Sequence, residues 1–517
     1  MQIWQMLERA ARLHPERIAV VDGEARLTYR QVARRAAGLA GHLRDRGIGP
    51  GDRIAILDDN SHEYLEAYYA AAYLGAVLVP LNVRLRPPDL ARILMDAGAR
   101  ALIAAPRFEE TTAQFLAHGM PLDPVLRTRA APGDPPRPGE PYEAAARASP
   151  APPGAAPEDA PAHLYYTSGT TGRPKGVILT HRNVCQHSLA AVAELRLDGA
   201  DVWGHIAPMF HLADAWATFA VTWVGGRHVI VPRFDPDAVL AAITRERVTL
   251  TNLVPTMLNA LVHHPAQDSY DLSSLRLVLS GGAPIAPALV RQVVSRLGCE
   301  YVQTYGMTET SPYLTLSLLT ERLRALPPDE QLAIKAKTGR PFLSVQLEVV
   351  GEDGRPVAPD ERQVGEIRVR GGTVSPGYWN RPEETAAAFR DGWLYTGDLA
   401  VIDPEGYVNI VDRKKDVIIT GGEKVYSTEV EHVLHDHPAV REAAVYGVPD
   451  DHWGEVVRAA VVLNPEAVAG DRELTAFCRD RLAGFKVPRG FDFLDALPRT
   501  GTGKINKKGL RDGRPGG

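Results

Sequence analysis

Short apolar runs alternate along this chain with stretches of helical periodicity, and that alternation restricts the fold more than any other feature. RIAIL (53–57) and AVLVPL (76–81) are such runs. A buried strand followed by an amphipathic crossover helix is what parallel pairing requires, so an α/β fold with largely parallel sheets is expected. In LTYRQVARRAAGLAGHLRDRGI, Thr28 and Gln31 have capping-box spacing. Val32, Ala36, Leu39, Ala40 and Leu43 then recur at helical intervals, and Gly47 supplies a stop. The apolar stretch Tyr64 to Val83 resembles a membrane span, but Glu66, Gly75 and Pro80 interrupt it. An Ala-rich helix followed by a buried strand fits it better.

A chain of 517 residues exceeds what one hydrophobic core serves, so two or more domains are expected. Pro, Ala and Gly crowd residues 123–160, which reads as a long extended connection without helix. LAVID-PEG-YVNIV reads as a hairpin turning at Pro404, Glu405 and Gly406. After DRKKD (412–416) a new unit begins, with a helix opened by Thr428 and Glu431, the strands AAVYGV and RAAVVL, and a further helix carrying Leu474, Phe477, Cys478 and Leu482. The expected division is 1–412, a hinge at 413–416, and a small α+β domain at 417–517.

Net charge is only −5, which gives no electrostatic footprint for nucleic acid. Cys185, Cys299 and Cys478 lie far apart and form no CxxC pair, as expected of a cytoplasmic protein. The start, MQIWQMLERAARLHPER, lacks the basic head and apolar run of a signal peptide.

Chemistry concentrates in YYTSGTTGRPKGV (165–177). Gly169 and Gly172 let the backbone approach an anion, while Thr167, Ser168, Thr170 and Thr171 offer hydroxyl donors and Lys175 a point charge. Apolar runs on both sides read as strands that hold the loop. It is not the GxxxxGK[ST] phosphate loop, because the spacing and the residue after lysine differ. Three other segments complement it. LVLSGGAPI (277–285) is a strand ending in Gly281-Gly282, where a flat ring can lie on the backbone. EYVQTYGMTET (300–310) is a strand ending in Tyr305, Thr308 and Glu309, an aromatic face, a hydroxyl and a carboxylate. WLYTGD (393–398) sets Asp398 where a carboxylate can accept ribose hydroxyls.

Together these segments resemble the adenylate-forming superfamily of acyl-CoA synthetases, peptide-synthetase adenylation domains and luciferases, from LTYRQV to PRTGTGKINKKGL. The resemblance implies a large N-terminal domain of layered α/β sheets with a small β-barrel-like subdomain, and a small mobile C-terminal α+β domain. It implies that the 165–177 loop closes over ATP phosphates. Adenine then lies beside Gly282, Ala283, Pro284 and Tyr305, with Gly306 and Met307 following. Thr308 meets the α-phosphate, Glu309 serves Mg²⁺, and Asp398 and Arg413 bind ribose. Lys415 is the hinge and Lys504 the adenylation lysine, placed to offset repulsion between a carboxylate and the phosphates. Gly421 and Gly422 line a passage for the pantetheine arm of coenzyme A. His211, in PMFHLAD, stands between acyl and thiol tunnels.

The implied reaction joins a small carboxylic acid to CoA through an acyl-adenylate, releasing AMP and pyrophosphate. By the family pattern the acyl pocket is lined by His211, Ala213, Ala217, Gly281, Gly306 and Pro312. No basic residue there is set to bind a second carboxylate, so a monocarboxylic acid is expected, most readily a medium- or long-chain fatty acid. An aryl acid of benzoate or coumarate type is the alternative. WGEVVRA (453–459) and GFKVP (484–488) resemble the CoA-ligase branch and favour free CoA over a carrier protein. An acyl-AMP ligase, or a nucleotide-binding scaffold without catalysis, are the remaining alternatives. A homodimer is compatible with the pattern.

Overall fold

The computed structural model describes residues 1–129, 138–168, 174–283, 285–499 and 505–513. It divides into two compact units, one of residues 1–346 and 370–394, the other of 347–369 and 395–517.

The first unit is built on two twisted sheets. The seven-stranded sheet runs in the order 140–141, 125–127, 99–104, 53–57, 77–80, 161–168, 174–180, parallel throughout except for its last hairpin. The nine-stranded sheet runs 340–341, 313–316, 300–306, 277–280, 250–252, 202–205, 227–230, 18–22, 25–28. It is parallel from 300–306 to 18–22 and antiparallel at both ends. Parallel strands need both faces covered, which the helices supply. Helix His62–Leu74 is buried from Glu63 to Leu74. It shares a core with Ile54 and Leu78 of the seven-stranded sheet and Val20 and Ile230 of the nine-stranded one. No face of it meets water, which explains why its sequence looked membrane-like. Among the described residues no helix is long and apolar enough to cross a membrane.

Local signals hold at several points. Thr28 caps helix Tyr29–Asp45 in a reciprocal capping box with Gln31. The hairpin at 403–407 forms between strands Trp393–Ile402 and Val408–Arg413, and the Asp403 carboxylate accepts from Glu405 and Tyr407 amides. Two readings are corrected. The 123–160 connection contains the helix Tyr142–Ala146, because Tyr142 is fully buried and donates its hydroxyl to Glu66 Oε2 at 2.9 Å. The helix expected to open at a Thr428/Glu431 capping box instead spans Ser427–His435. Thr428 donates to the Val411 carbonyl and Glu431 accepts the Val445 amide, so neither is available for capping. The Asp412 carboxylate accepts the Ser427 amide in their place.

The second unit holds a curled sheet containing the strands Val345–Val350, Gly365–Gly371, Trp393–Ile402 and Val408–Arg413. A second sheet pairs Val440–Asp450 with Gly454–Leu463 along their whole length, with helices Ser427–His435 and Asp471–Arg479 packed on it.

Candidate functional site

Strands Pro161–Ser168 and Pro174–Thr180 form an antiparallel hairpin that puts Thr167 opposite Lys175 and Ser168 opposite Pro174. The glycine- and threonine-rich loop is therefore strung between two rigid strand ends. Tyr165, at its base, shares a hydrogen bond of 2.6 Å with Tyr68, which also donates to the Met209 carbonyl at 2.9 Å. Two buried hydroxyls thus tie the loop's root to the segment that leads into His211, and neither is left without a partner. The outer strand takes on one more neighbour. Ile178 donates to Gly377, Trp379 donates to Gly176, and Val177 pairs with Tyr378.

This pairing delivers Tyr378 to the centre of the site. Its ring lies 5.0 Å from Lys175 Nζ, a cation–π distance, and its hydroxyl donates to Glu309 Oε1 at 2.9 Å. Burial, then the Glu309 charge, pushes the Tyr378 phenol well above its ordinary range, so it stays a donor. One aromatic residue joins the loop lysine to the carboxylate.

Glu309 is held from several directions. It lies on a single 3₁₀ turn, Thr308–Thr310, and is 7% exposed. Its carbonyl accepts the Ser375 amide, and the Met307 amide donates to the Pro312 carbonyl across the turn. Tyr305, Gly306, Met307 and Thr308 are half-exposed along the strand end leading into it. A Cβ on Gly306 would meet the Pro312 carbonyl oxygen at 1.8 Å, so glycine is needed for backbone packing there. Gly281 faces the same restriction, at 2.3 Å from Thr304 Oγ1. Gly282 has φ +81° and is exposed with Ala283, while Gln303 Nε2 donates to the Ala283 carbonyl at 3.2 Å. Both segments follow the carboxyl ends of parallel strands, the end where open α/β sheets place ligands.

His211 occupies the N-cap of helix Leu212–Val224, with its ring 4.5 Å from Phe210. The next turns carry Ala213, half-buried, and Ala217, fully buried. Beyond them the core is filled. Ala217 shares a cluster with Trp203, Trp216 and Tyr313, whose rings lie 5.0 Å (Trp203–Trp216) and 5.3 Å (Trp216–Tyr313) apart. Trp216 Nε1 donates to the Ala213 carbonyl and Trp203 Nε1 to Asp214, which fixes both indoles.

In the second unit Asp398 sits within a strand, in register with Arg413, and pairs with its Nε at 3.0 Å. Asp398 is buried and the Arg413 side chain is 46% exposed. Lys415 is exposed, and its carbonyl accepts from Arg511. Gly421 and Gly422 turn between two short strands with φ +58° and +86°. The Gly421 backbone is pressed on the Trp453 indole, where a Cβ would lie 2.8 Å from the ring. Trp453 is 40% exposed, with the Arg489 guanidinium 4.8 Å from its ring centre.

Gly169, Thr170, Thr171, Gly172, Pro284 and Lys504 lie outside the described residues, as does the Ser168 side chain. Sequence reasoning missed Tyr378, Gln303 and Trp453. PGYWN (376–380) carries no titratable pair or glycine pattern, and only its position on the strand edge reveals its part. An exposed tryptophan after a polar turn was the available signal for Trp453.

The chain matches the family model for AMP-binding enzymes over residues 7–379 and that for the AMP-binding enzyme C-terminal domain over 429–504. It is 43% identical over 505 residues to a feruloyl-CoA synthase from Amycolatopsis, covering 97% of both chains. It is 38% identical to a long-chain-fatty-acid–CoA ligase from Thermus thermophilus, covering 99% of this chain and 95% of that one. Among solved structures, the o-succinylbenzoate–CoA synthetase of Bacillus subtilis in complex with its acyl-adenylate intermediate superposes with a TM-score of 0.85. That pair is 32% identical, covering 100% of this chain and 99% of the other.

Proposed function

The chain belongs to the AMP-binding, adenylate-forming enzymes and is an acid–thiol ligase using ATP and CoA, and from that premise we propose that its acid is a compact aromatic monocarboxylate. The observation that carries this reading is the core behind Ala213 and Ala217. Ala213 is half-buried and Ala217 fully buried, with Trp203, Trp216 and Tyr313 packed in the cluster behind them, which favours a short acid over a long alkyl chain. A flat ring needs less depth than an alkyl chain and gains edge and face contacts from neighbouring aromatic side chains. Greater identity to the feruloyl-CoA synthase than to the long-chain ligase supports the same choice over the aliphatic acid that the sequence favoured.

In this reading the substrate carboxylate attacks the α-phosphate of ATP and pyrophosphate leaves. A thiolate of CoA then attacks the acyl carbonyl and expels AMP. Lys175 and the loop hydroxyls bind the β- and γ-phosphates that become pyrophosphate. The exposed Gly282–Ala283 backbone and Tyr305 hold adenine, and Thr308 meets the α-phosphate. Asp398, paired with the Arg413 Nε at 3.0 Å, accepts ribose hydroxyls. Glu309 fits Mg²⁺, since a buried carboxylate fixed by Tyr378 is the oxygen donor a hard cation takes. Bound with ATP there, Mg²⁺ neutralises phosphate charge.

Lys504 bridges carboxylate and α-phosphate in the first step only. A rotation at Lys415 withdraws it and presents Gly421 and Gly422, where the pantetheine arm passes; His211 orients the acyl group beside that path. Separate conformations for the two steps limit hydrolysis of the adenylate.

The test is the ratio of kcat/KM, read as acid-dependent AMP release with CoA, for ferulate, coumarate and benzoate against octanoate and palmitate. An aryl acid preferred at least tenfold is expected. Equal or greater activity with palmitate overturns the aromatic reading.

A further inference from the structure

The parallel strands that end at Gly281 and Gly306 also have amino ends, and a cavity of about 270 Å³ opens there. It lies against Leu277 on one strand and Tyr301 and Val302 on the next. With a rise of about 3.3 Å per residue, Tyr301 is roughly 16 Å along the strand from Gly306. The cavity is thus separate from the adenylation residues, although it shares their strands.

Its chemistry is two-sided. The floor is apolar, with Leu195, Leu277, Val302 and Leu319 all buried. Cations stand around it. Arg276 is fully engaged by Asp201 through two bonds of 2.8 Å, and Lys335 is paired with Glu300 at 2.6 Å. Arg196 and Arg324 differ, because neither guanidinium has a hydrogen bond or ion pair among the described residues. Arg196 is held at φ 52° as the cap of helix His181–Leu195, a backbone conformation that a non-glycine residue adopts at some cost. Two uncommitted guanidinium groups beside a greasy floor match an anion with an apolar body, since a fork of N–H donors suits a planar carboxylate. The volume falls just below the roughly 300–1,000 Å³ of sites for drug-sized ligands, so the occupant is compact.

We propose that this cavity is a second ligand site, taking a small organic carboxylate with an apolar body and coupling it to nucleotide binding. The coupling route is a hydrogen-bond chain. Ser317, in the cavity wall, accepts the Gln303 backbone N–H on its hydroxyl oxygen at 2.7 Å, and Tyr301 donates its hydroxyl to the side-chain Oε1 of Gln303. Gln303 Nε2 then donates to the carbonyl of Ala283, in the turn proposed to hold adenine. A ligand packed on Tyr301 and Ser317 favours the Gln303 conformer that clamps this turn. Occupancy of one end of the strand therefore tightens binding at the other, through a differential affinity for one side-chain arrangement. The existence of the cavity site does not depend on the proposed function; the coupling rests on adenine lying beside Ala283.

The test is equilibrium dialysis with radiolabelled benzoate and ferulate, the adenylation site first filled with a non-hydrolysable acyl-sulfamoyl-adenosine. Wild-type enzyme is expected to bind one further equivalent of acid per chain, and R196A/R324A to bind at least tenfold more weakly. Inorganic phosphate, the control lacking an apolar body, is expected to bind at least tenfold more weakly than either acid. No further equivalent, equal binding by the double variant, or phosphate binding as tightly as the acids overturns the site. For the coupling, α,β-methylene-ATP is titrated at saturating benzoate. An affinity about fivefold tighter in wild type than in R196A/R324A is expected. Gln303→Ala should remove that difference while keeping benzoate binding in the blocked enzyme. Equal affinities in wild type and R196A/R324A overturn the coupling, as does a fivefold difference that survives in Gln303→Ala. Binding of the acyl-sulfamoyl-adenosine itself reports on the adenylation site, so its failure is distinguishable from failure of the cavity.

Discussion

Replacing Tyr378 with phenylalanine removes one hydroxyl and leaves the ring, which separates the two contacts this residue makes. The hydroxyl donates to Glu309 Oε1 at 2.9 Å, and Glu309 is only 7% exposed. A hydrogen bond to a charged, buried group contributes about 1.5–3 kcal/mol. Each 1.36 kcal/mol of transition-state free energy is a factor of about ten in rate. If the whole bond were needed only in the transition state, Y378F would lose up to about 150-fold in kcat/KM for Mg·ATP. Part of that bond already orders Glu309 before ATP binds, so a loss of about tenfold is expected. The assay is acid-dependent ATP–pyrophosphate exchange, which reads the first half-reaction without CoA. The Lys175–ring contact at 5.0 Å survives in Y378F and is lost in Y378A, together with packing. Cation–π contacts contribute about 0.5–2 kcal/mol, so Y378A should fall several-fold further. Thermal unfolding of Y378F should stay near wild type, because the ring that fills the space is retained. Exchange by Y378F within twofold of wild type, with E309Q strongly impaired, would refute the claim that Tyr378 positions Glu309.

Three further outcomes are expected. Lys504→Ala should abolish exchange yet spare thioester formation from supplied acyl-AMP; equal loss of both steps would show that the lysine is not confined to adenylation. Gly421→Ala should do the converse, because its Cβ would sit 2.8 Å from the Trp453 ring at φ +58°. Thioester formation should drop at least tenfold with exchange unchanged, and parallel losses would contradict a role specific to the thiol step. His62 is lowered by burial, but its bond to Asp22 and the charges of Glu63 and Glu66 outweigh this and raise it to about 9. A folded-state value above the unfolded 6.5 means the stabilisation is complete below pH 6.5 and lost as pH rises through 9. That loss is about 3.4 kcal/mol by linkage. Urea unfolding at pH 6 and pH 10 should show this extra loss in wild type but not in His62→Gln; the same pH dependence in both would remove His62 from the account.

Much of the fold was legible because its signals are local. Thr28 and Gln31 cap a helix that the residues between them and Gly47 define, and the Asp403–Tyr407 hairpin is written in its own turn residues. The two strands flanking residues 169–173 were legible for the same reason, since they pair with each other. What escaped depends on partners distant in sequence. Tyr378 reaches Glu309 only because residues 376–379 lie along the edge of a strand two hundred positions earlier. The Thr428 capping box failed because Asp412 and Val411 compete for the same helix end. Gly281 and Gly306 show the same dependence on distant partners, since a Cβ on either would meet Thr304 or the Pro312 carbonyl. The packing around Ala217 was likewise invisible, since Trp203, Trp216 and Tyr313 join its cluster from three elements.

The central claim is that an acid carboxylate attacks the α-phosphate of ATP and that its acyl group then passes to CoA. Ferulate labelled with ¹⁸O in the carboxylate, turned over with ATP and CoA, tests it most directly. The oxygen that attacks phosphorus stays there when the thiol expels AMP. The account predicts one ¹⁸O in each AMP, none in pyrophosphate, and feruloyl-CoA equal in amount to AMP. Label in pyrophosphate or inorganic phosphate, or ADP in place of AMP, would contradict it.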